Sequence, residues 1–171
     1  MLHKKILFFS FLFISFNLLS QTISNQEIKN LAFYIIKESK NSVFITLDSL
    51  GKPASRLMDH HIINKNFDIY LVTNLFSRKV THLRFNSSIS INFQSPDGQN
   101  YVSINGKGIL IDDINLKTKY WKNDWTPFYN NIDTDCILIQ IIPQNLELVS
   151  LSNDIMGDPK TWKPKTIIID D

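Results

Sequence analysis

Hydrophobic and polar positions along the chain change their period several times, and each change predicts an element. Ser24-Asn25-Gln26-Glu27 has the spacing of a capping box. Ile28, Leu31, Ala32, Ile35 and Ile36 then recur at helical intervals. A helix from about Asn25 to Lys40, apolar on one face, is the expected result. At Ser42 the period drops to two, with Val43, Ile45 and Leu47 alternating against Phe44, Thr46 and Asp48. Ser49-Leu50-Gly51-Lys52 reads as a turn, and Pro53 to His60 as the returning strand. Asn64-Lys65-Asn66 turns the chain into a strand over Phe67 to Val72. A helix-like stretch covers Val80 to Phe85, and Ser88 to Phe93 alternates cleanly. Ser95-Pro96-Asp97-Gly98 is a turn, since Pro sets φ and Gly accepts positive φ. The next strand runs from Tyr101 to about Asp112; its interior Gly106 and Gly108 mark a bulge or a close backbone approach. Asp113 to Asn123 reads as a short helix, followed by a loop with Trp125, Pro127, Phe128 and Tyr129. Cys136 to Ile142 reads as a central strand and Asn145 to Val149 as a closing one. From Leu151 the tail carries Gly157, Pro159 and Pro164 and reads as irregular, with Ile167-Ile168-Ile169 able to add an edge strand.

At least six strands joined mostly by tight turns point to a mainly β fold, an antiparallel barrel with flanking helices. The strand–helix alternation of a parallel sheet is missing. The 171 residues suit one domain.

The first residues change the picture of charge and location. Lys4 and Lys5 precede an apolar run from Ile6 to Leu19, and Ser20-Gln21 offers a cleavage point. That is the layout of a secretory signal peptide over residues 1–20, with an uncleaved anchor as the alternative. The run is shorter than the ~20 apolar residues of a spanning helix. The expectation is an exported, periplasmic or extracellular protein with no stable membrane anchor after cleavage. Its main domain would span 21–150 and its tail 151–171. Lys4 and Lys5 alone supply the formal net charge of +2, so the remainder is formally neutral. A nucleic-acid binder would carry a basic excess. The single Cys136 lies beside Ile137-Leu138-Ile139 and reads as a buried, inert thiol.

One segment names a ligand class. Thr73-Asn74-Leu75-Phe76-Ser77-Arg78-Lys79 lies between an apolar strand and a helix. A helix N-terminus presents free N–H groups and a partial positive charge. Arg78 and Lys79 there oppose the helix dipole, yet they suit a bound phosphate dianion. From the pattern alone, a solvated helix turn is the alternative.

Five pieces in order carry a resemblance. They are the Gly-turn hairpin Thr46 to Pro53, then Ser55-Arg56-Leu57-Met58, then Val72-Thr73-Asn74 with Ser77-Arg78-Lys79, then Ile89-Ser90-Ile91-Asn92-Phe93, and last Tyr101 to Gly108. Together they resemble the pyridoxamine 5'-phosphate oxidase-like superfamily of flavin-binding split barrels, general-stress-protein branch, from the first helix to about Glu147. The resemblance implies a six-stranded split barrel and a homodimer with flavin mononucleotide (FMN) at the subunit interface. Carried over by position, Arg56, Ser77, Arg78 and Lys79 would hold the phosphate or ribityl chain. Leu57, Met58, Val72 and Thr73 would line the ring or offer backbone contacts, and Tyr101 stands where the oxidases carry a Gln. The oxidases have a Lys at approximately His61, and their C-terminal Arg- and His-containing substrate motif has no counterpart after Arg84. A vitamin B6 substrate is therefore not expected, and no catalytic residue is assigned. An FMN-dependent oxidoreductase is the first reading. A non-catalytic flavin module and a haem-binding protein of the same fold are the alternatives.

The remaining candidates have bland readings. Adjacent strand residues His60 and His61 face opposite ways, cannot share a metal, and are expected at the surface or rim. His82 has no paired ligand spacing, so no metal site is expected. Trp121, Trp125 and Phe128 are either ordinary packing or a wall of the flavin pocket. Asp112, Asp113, Asp133 and Asp135 fit turn and cap roles.

Overall fold

The computed structural model describes residues 23–169, and the segment read as a signal peptide lies outside them. The first helix, α1 (Asn25–Glu38), starts where the capping box places it: the Ser24 hydroxyl accepts from the Glu27 N–H, and Glu27 reaches back to the Ser24 N–H. Its buried face, Ile28, Ala32, Ile35 and Ile36, packs into the main core of the sheet.

The strands are β1 (Ser42–Leu47), β2 (Pro53–Met58), β3 (His61–Ile62), β4 (Ile69–Asn74), β5 (Ser88–Gln94), β6 (Asn100–Ile111), β7 (Cys136–Ser150) and β8 (Lys165–Ile168). Between them lie α2 (Arg78–Phe85) and α3 (Ile114–Lys119), with a 3-10 segment at Asn123–Phe128. All pair antiparallel in one 8-stranded sheet ordered β2-β1-β5-β6-β7-β4-β3. The tail adds β8 to β7, alongside its C-terminal half. The two ends of this order, β2 and β3, are joined in sequence by Asp59 and His60 alone. Opposite edges of the sheet must therefore meet, so the sheet curls into a split barrel. The split barrel read from the sequence is present, with two strands more than six.

Where the structure departs from the sequence reading, local chemistry explains it. The segment Pro53 to His60 is strand only to Met58. Phe67, read as a strand residue, holds φ +62 in the turn before β4. Cys136–Ile142 and Asn145–Val149 are not two strands but one: β7 runs unbroken through Pro143, with a register shift opposite Asn105/Gly106. A side chain at Gly106 would collide with the Ile142 carbonyl oxygen, so this close approach requires glycine. At Gly108 a Cβ would lie 2.9 Å from Leu83, and its absence lets α2 settle on β6.

The main core gathers Phe44, Ile69, Leu71, Ile91, Phe93, Val102, Ile104, Ile139, Leu146 and Leu148 under α1. A second cluster, around Tyr70, Val72, Trp125, Cys136 and Leu138, lies under Trp121 and Tyr129. Cys136 is buried as expected, and burial pushes its thiol pKa up. His60 corrects its expectation: it is 6 % exposed, held by its Nε2 on the Ile36 carbonyl (2.9 Å) and edge-on to Phe93. The two-residue link between the sheet edges passes beneath the C-terminal part of α1 and carries the ring inward. Among the described residues no helix is long and apolar enough to cross a membrane.

Candidate functional site

Three elements bring the predicted cations together. Arg56 stands on β2 and extends across β1. Its Nη1 donates to the Thr46 hydroxyl (2.8 Å) and to the Phe44 carbonyl (3.3 Å), with the guanidinium 5.9 Å from the Phe44 ring centroid. Arg78 and Lys79 open α2. Burial lowers the pKa of Lys79, and the charges of Arg56 and then Arg78 lower it further. Burial likewise lowers Arg56, with Arg78 adding to it. The three charges thus repel one another at close quarters.

Among the described residues no carboxylate compensates them. Among the described residues the ion pairs are Lys117–Asp112, Lys122–Asp59 and Lys122–Asp124. The first turn of α2 holds no acid, and the Ser77 side chain does not cap it. Ser77 Oγ instead accepts from Thr73 Oγ1 (3.2 Å), and Thr73 Oγ1 accepts from Lys79 Nζ (2.7 Å). The first N–H groups of the helix are therefore left without a side-chain acceptor, beside uncompensated cations. A dianion is the species that satisfies both.

A cleft of ≈ 240 Å³ continues from Thr73, lined also by Leu57, Met58, Val72, Trp125, Phe128 and Tyr129. Leu57, Met58, Val72 and Thr73, the predicted ring-side residues, are thus brought together. Tyr101 is not with them. It lines a separate depression of ≈ 390 Å³ with Val43, Asn92 and Gln94, which Leu57 alone joins to the cleft.

The aromatic wall has an anchor that sequence reasoning missed. Asp59 accepts from Lys122 Nζ (2.7 and 2.9 Å) and from Trp125 Nε1 (2.8 Å). This ties the 3-10 segment to the link between the sheet edges. Trp125 is buried, edge-on to Trp121 and to His61, whereas Phe128 is 78 % exposed at the cleft. Burial pushes the Tyr129 hydroxyl up to about 12, so it stays protonated at neutral pH. Thr46 and His82 were also missed: the fully buried Thr46 hydroxyl lies between Arg56 and His82 Nδ1 (2.9 Å). The alternation of β1 does place Thr46 on the side of Phe44, which was the available signal.

The acidic candidates have structural work. Asp113 caps α3, Asp112 pairs with Lys117, and Asp135 accepts from the Asn131 N–H and the Thr134 hydroxyl. Among the described residues no three His, Cys, Asp or Glu side chains form a metal-holding group.

A profile of the family described as pyridoxamine 5'-phosphate oxidase like matches residues 26–148. A comparison with curated proteins finds no match. Among solved structures, general stress protein 26 from Bacillus anthracis superposes with a TM-score of 0.65 at 20% identity, covering 82% of this chain and 98% of that one. A Clostridium acetobutylicum protein related to general stress protein 26, of the pyridoxinephosphate oxidase family, gives 0.70 at 18% identity, covering 85% and 97%. A heme binding protein from Mycobacterium smegmatis gives 0.65 at 11% identity, covering 86% and 59%. At these identities the likeness is one of fold.

Proposed function

The chain belongs to the pyridoxamine 5'-phosphate oxidase-like family, and from that premise we propose that it is an exported FMN-binding protein acting as an FMN-dependent oxidoreductase on a small molecule. The observation that carries the reading is the cluster of Arg56, Arg78 and Lys79. It lacks a carboxylate partner among the described residues, and its Lys79 donates to Thr73, which lines the aromatic cleft. The donor set fits FMN at both ends. Arg56 offers a planar fork and Lys79 a point charge to a phosphate ester, with Ser77 and the N–H groups of α2 completing the cradle. Leu57, Met58, Val72, Trp125 and Phe128 offer apolar surface to a flat ring.

FMN, when bound, supplies the redox chemistry. The chain's own residues bind its phosphate, orient its ring and keep water from one side of it. Lys79, parked on Thr73 Oγ1, is positioned to exchange that hydroxyl for a phosphate oxygen.

The cleft is smaller than the ~300–1,000 Å³ of ordinary ligand sites. A second copy of the chain completes it in this reading. Val43, Leu57 and Tyr101 lie half-exposed or exposed on the outward face of the sheet, next to the cleft. They supply the apolar surface of a homodimer. Residues 1–20 direct the chain out of the cytoplasm.

The purified protein is expected to be yellow and to release FMN on denaturation. An Arg78→Ala, Lys79→Ala double variant loses FMN while keeping its circular dichroism spectrum. A colourless protein without FMN affinity defeats the reading, and a yellow one that neither accepts nor donates electrons is the non-catalytic flavin module. Haem binding is the weaker alternative, because among the described residues no histidine lines the cleft. N-terminal sequencing of the protein from its native compartment tests export, and its mass in solution tests the dimer.

A further inference from the structure

The tail beyond β7 holds an aromatic residue where the backbone favours glycine. Residues 151–169 lie outside the span matched by the family profile, so the shared fold does not account for them. Between Ile155, which bridges to Ser150, and β8, the chain makes a closed loop over residues 158–163. The Asp158 N–H donates to the Lys163 carbonyl (2.8 Å), and the Trp162 N–H donates to the Asp158 carbonyl (2.7 Å). The Asp158 carboxylate is turned into the loop, where it accepts from the Lys160 N–H (3.0 Å), the Thr161 N–H (2.8 Å) and the Thr161 hydroxyl (2.9 Å). This frame sets Trp162 at φ +58, a left-handed conformation in which a bulky side chain is an outlier. Trp162 is also 78 % exposed. The residue thus carries a backbone cost and leaves its apolar surface in water, and packing within the chain offsets neither.

Cations surround the ring. Lys160, Lys163 and Lys165 are exposed, and among the described residues none of them makes an ion pair. Residues 156–165 hold these three lysines against one acid, Asp158, whose Oδ1 already takes three hydrogen bonds. A depression of ≈ 500 Å³ lies alongside, lined in part by Met156, Lys163, Pro164, Lys165 and Thr166.

We propose that this loop is a docking tip for an anionic lipid surface, held reversibly by Trp162 together with Lys160, Lys163 and Lys165. Indole rings settle at the headgroup level of a bilayer, where the ring meets apolar chains and its N–H stays wet. Lysines near an anionic leaflet each strengthen binding about fivefold. The shape of the tip favours this occupant. A ligand or a folded partner seats an aromatic in a concave, largely apolar pocket. Here the ring projects from a turn with its neighbours spread as exposed charges, and a fluid headgroup layer closes round such a shape without a matching cavity. The hydrogen-bonded frame fixes the loop before contact, so binding costs little ordering entropy. Three lysines and one indole make the attachment peripheral and sensitive to salt. The inference does not depend on the flavin reading.

Amine labelling read by mass spectrometry reports each lysine separately. The probe is a vesicle of equimolar phosphatidylglycerol and phosphatidylcholine, with pure phosphatidylcholine as the neutral arm. Labelling of Lys160, Lys163 and Lys165 is expected to fall with the mixed vesicles alone and to recover in high salt, while Lys107 on β6 keeps its labelling. Replacing Lys163 and Lys165 by Gln weakens vesicle binding about fivefold for each charge removed. Trp162→Asn loses most of the binding, with the melting point unchanged or higher, because Asn tolerates the left-handed backbone. A lower melting point in that variant makes Trp162 a residue of the fold and overturns the proposal. Equal protection by neutral vesicles, or protection by neither kind, overturns it as well. Protection by polyglutamate without protection by the mixed vesicles also overturns it, and assigns the tip to an acidic protein partner.

Discussion

Two groups of cations divide the labour of this molecule, one buried or half-buried and paired, the other half-buried at Arg56 and Lys79 and exposed at Arg78. On one side, Lys117 and Lys122 are fully paired. Lys117 has no solvent exposure, contacts Asp112 at 2.5 Å and donates to the Asp133 carbonyl, while Lys122 sits between Asp59 and Asp124. On the other side, Arg56, Arg78 and Lys79 meet no carboxylate among the described residues, and the charge of Arg78 makes both Arg56 and Lys79 harder to keep charged. A paired buried cation belongs to the fold, because removing its partner leaves a charge that the interior cannot solvate. A cluster of unpaired ones lowers stability until something else neutralises it. The same residue type therefore carries opposite meanings a short distance apart, and the carboxylate is what tells them apart.

The largest expected effect is on the paired side. Asp112→Ala strands Lys117 and should lower the free energy of unfolding in denaturant by about 3 kcal/mol. A neutral outcome would break the contrast. Next, Asp59→Ala leaves the buried Trp125 indole N–H without its acceptor. A loss of about 2 kcal/mol is expected, with a shift in tryptophan emission as the wall loosens.

His60 tests a buried base that has no charge partner. Among the described residues its Nδ1 finds no hydrogen-bond partner, and burial lowers its pKa below that of the unfolded chain. The unfolded state thus binds the proton first. The stability from a neutral His60 is complete above about pH 6.5 and falls as pH drops toward the folded pKa, by at most about 1.4 kcal/mol per pH unit. Melts between pH 8 and pH 5 should show that slope, and His60→Leu should remove it.

The smallest effect on stability lies in the cradle. Lys79→Met should leave the melting point unchanged or raise it by a degree or two, since it relieves repulsion. In the same variant FMN affinity should fall about tenfold or more, because a hydrogen bond to a charged group contributes roughly 1.5–3 kcal/mol. A clear loss of stability in this variant would place Lys79 with the paired lysines.

Period and turn chemistry made most of this legible. The capping box of α1, the β1–β2 hairpin, the Gly106 approach and the edge strand near Ile167 all follow from local rules. So does the handover from β4 to α2 that bears Arg78 and Lys79. The unbroken β7 did not follow, because Pro143 and Gln144 resemble a turn when the bulge opposite them is unknown. Buried His60 and Lys117 were also hidden. Each owes its place to a partner far along the chain, the Ile36 carbonyl or the loop at Asp133. Asp59 belongs with them: only closure of the sheet brings Lys122 and Trp125 to it.

An unneutralised cradle also makes the fold answer to supply. A ligand held there at a hundred times its dissociation constant adds about 2.7 kcal/mol to the native state. Without it, the chain carries its mutual repulsion alone. Heat resistance would then track how much nucleotide the surroundings offer, and scarcity would mark empty copies for proteolysis ahead of loaded ones.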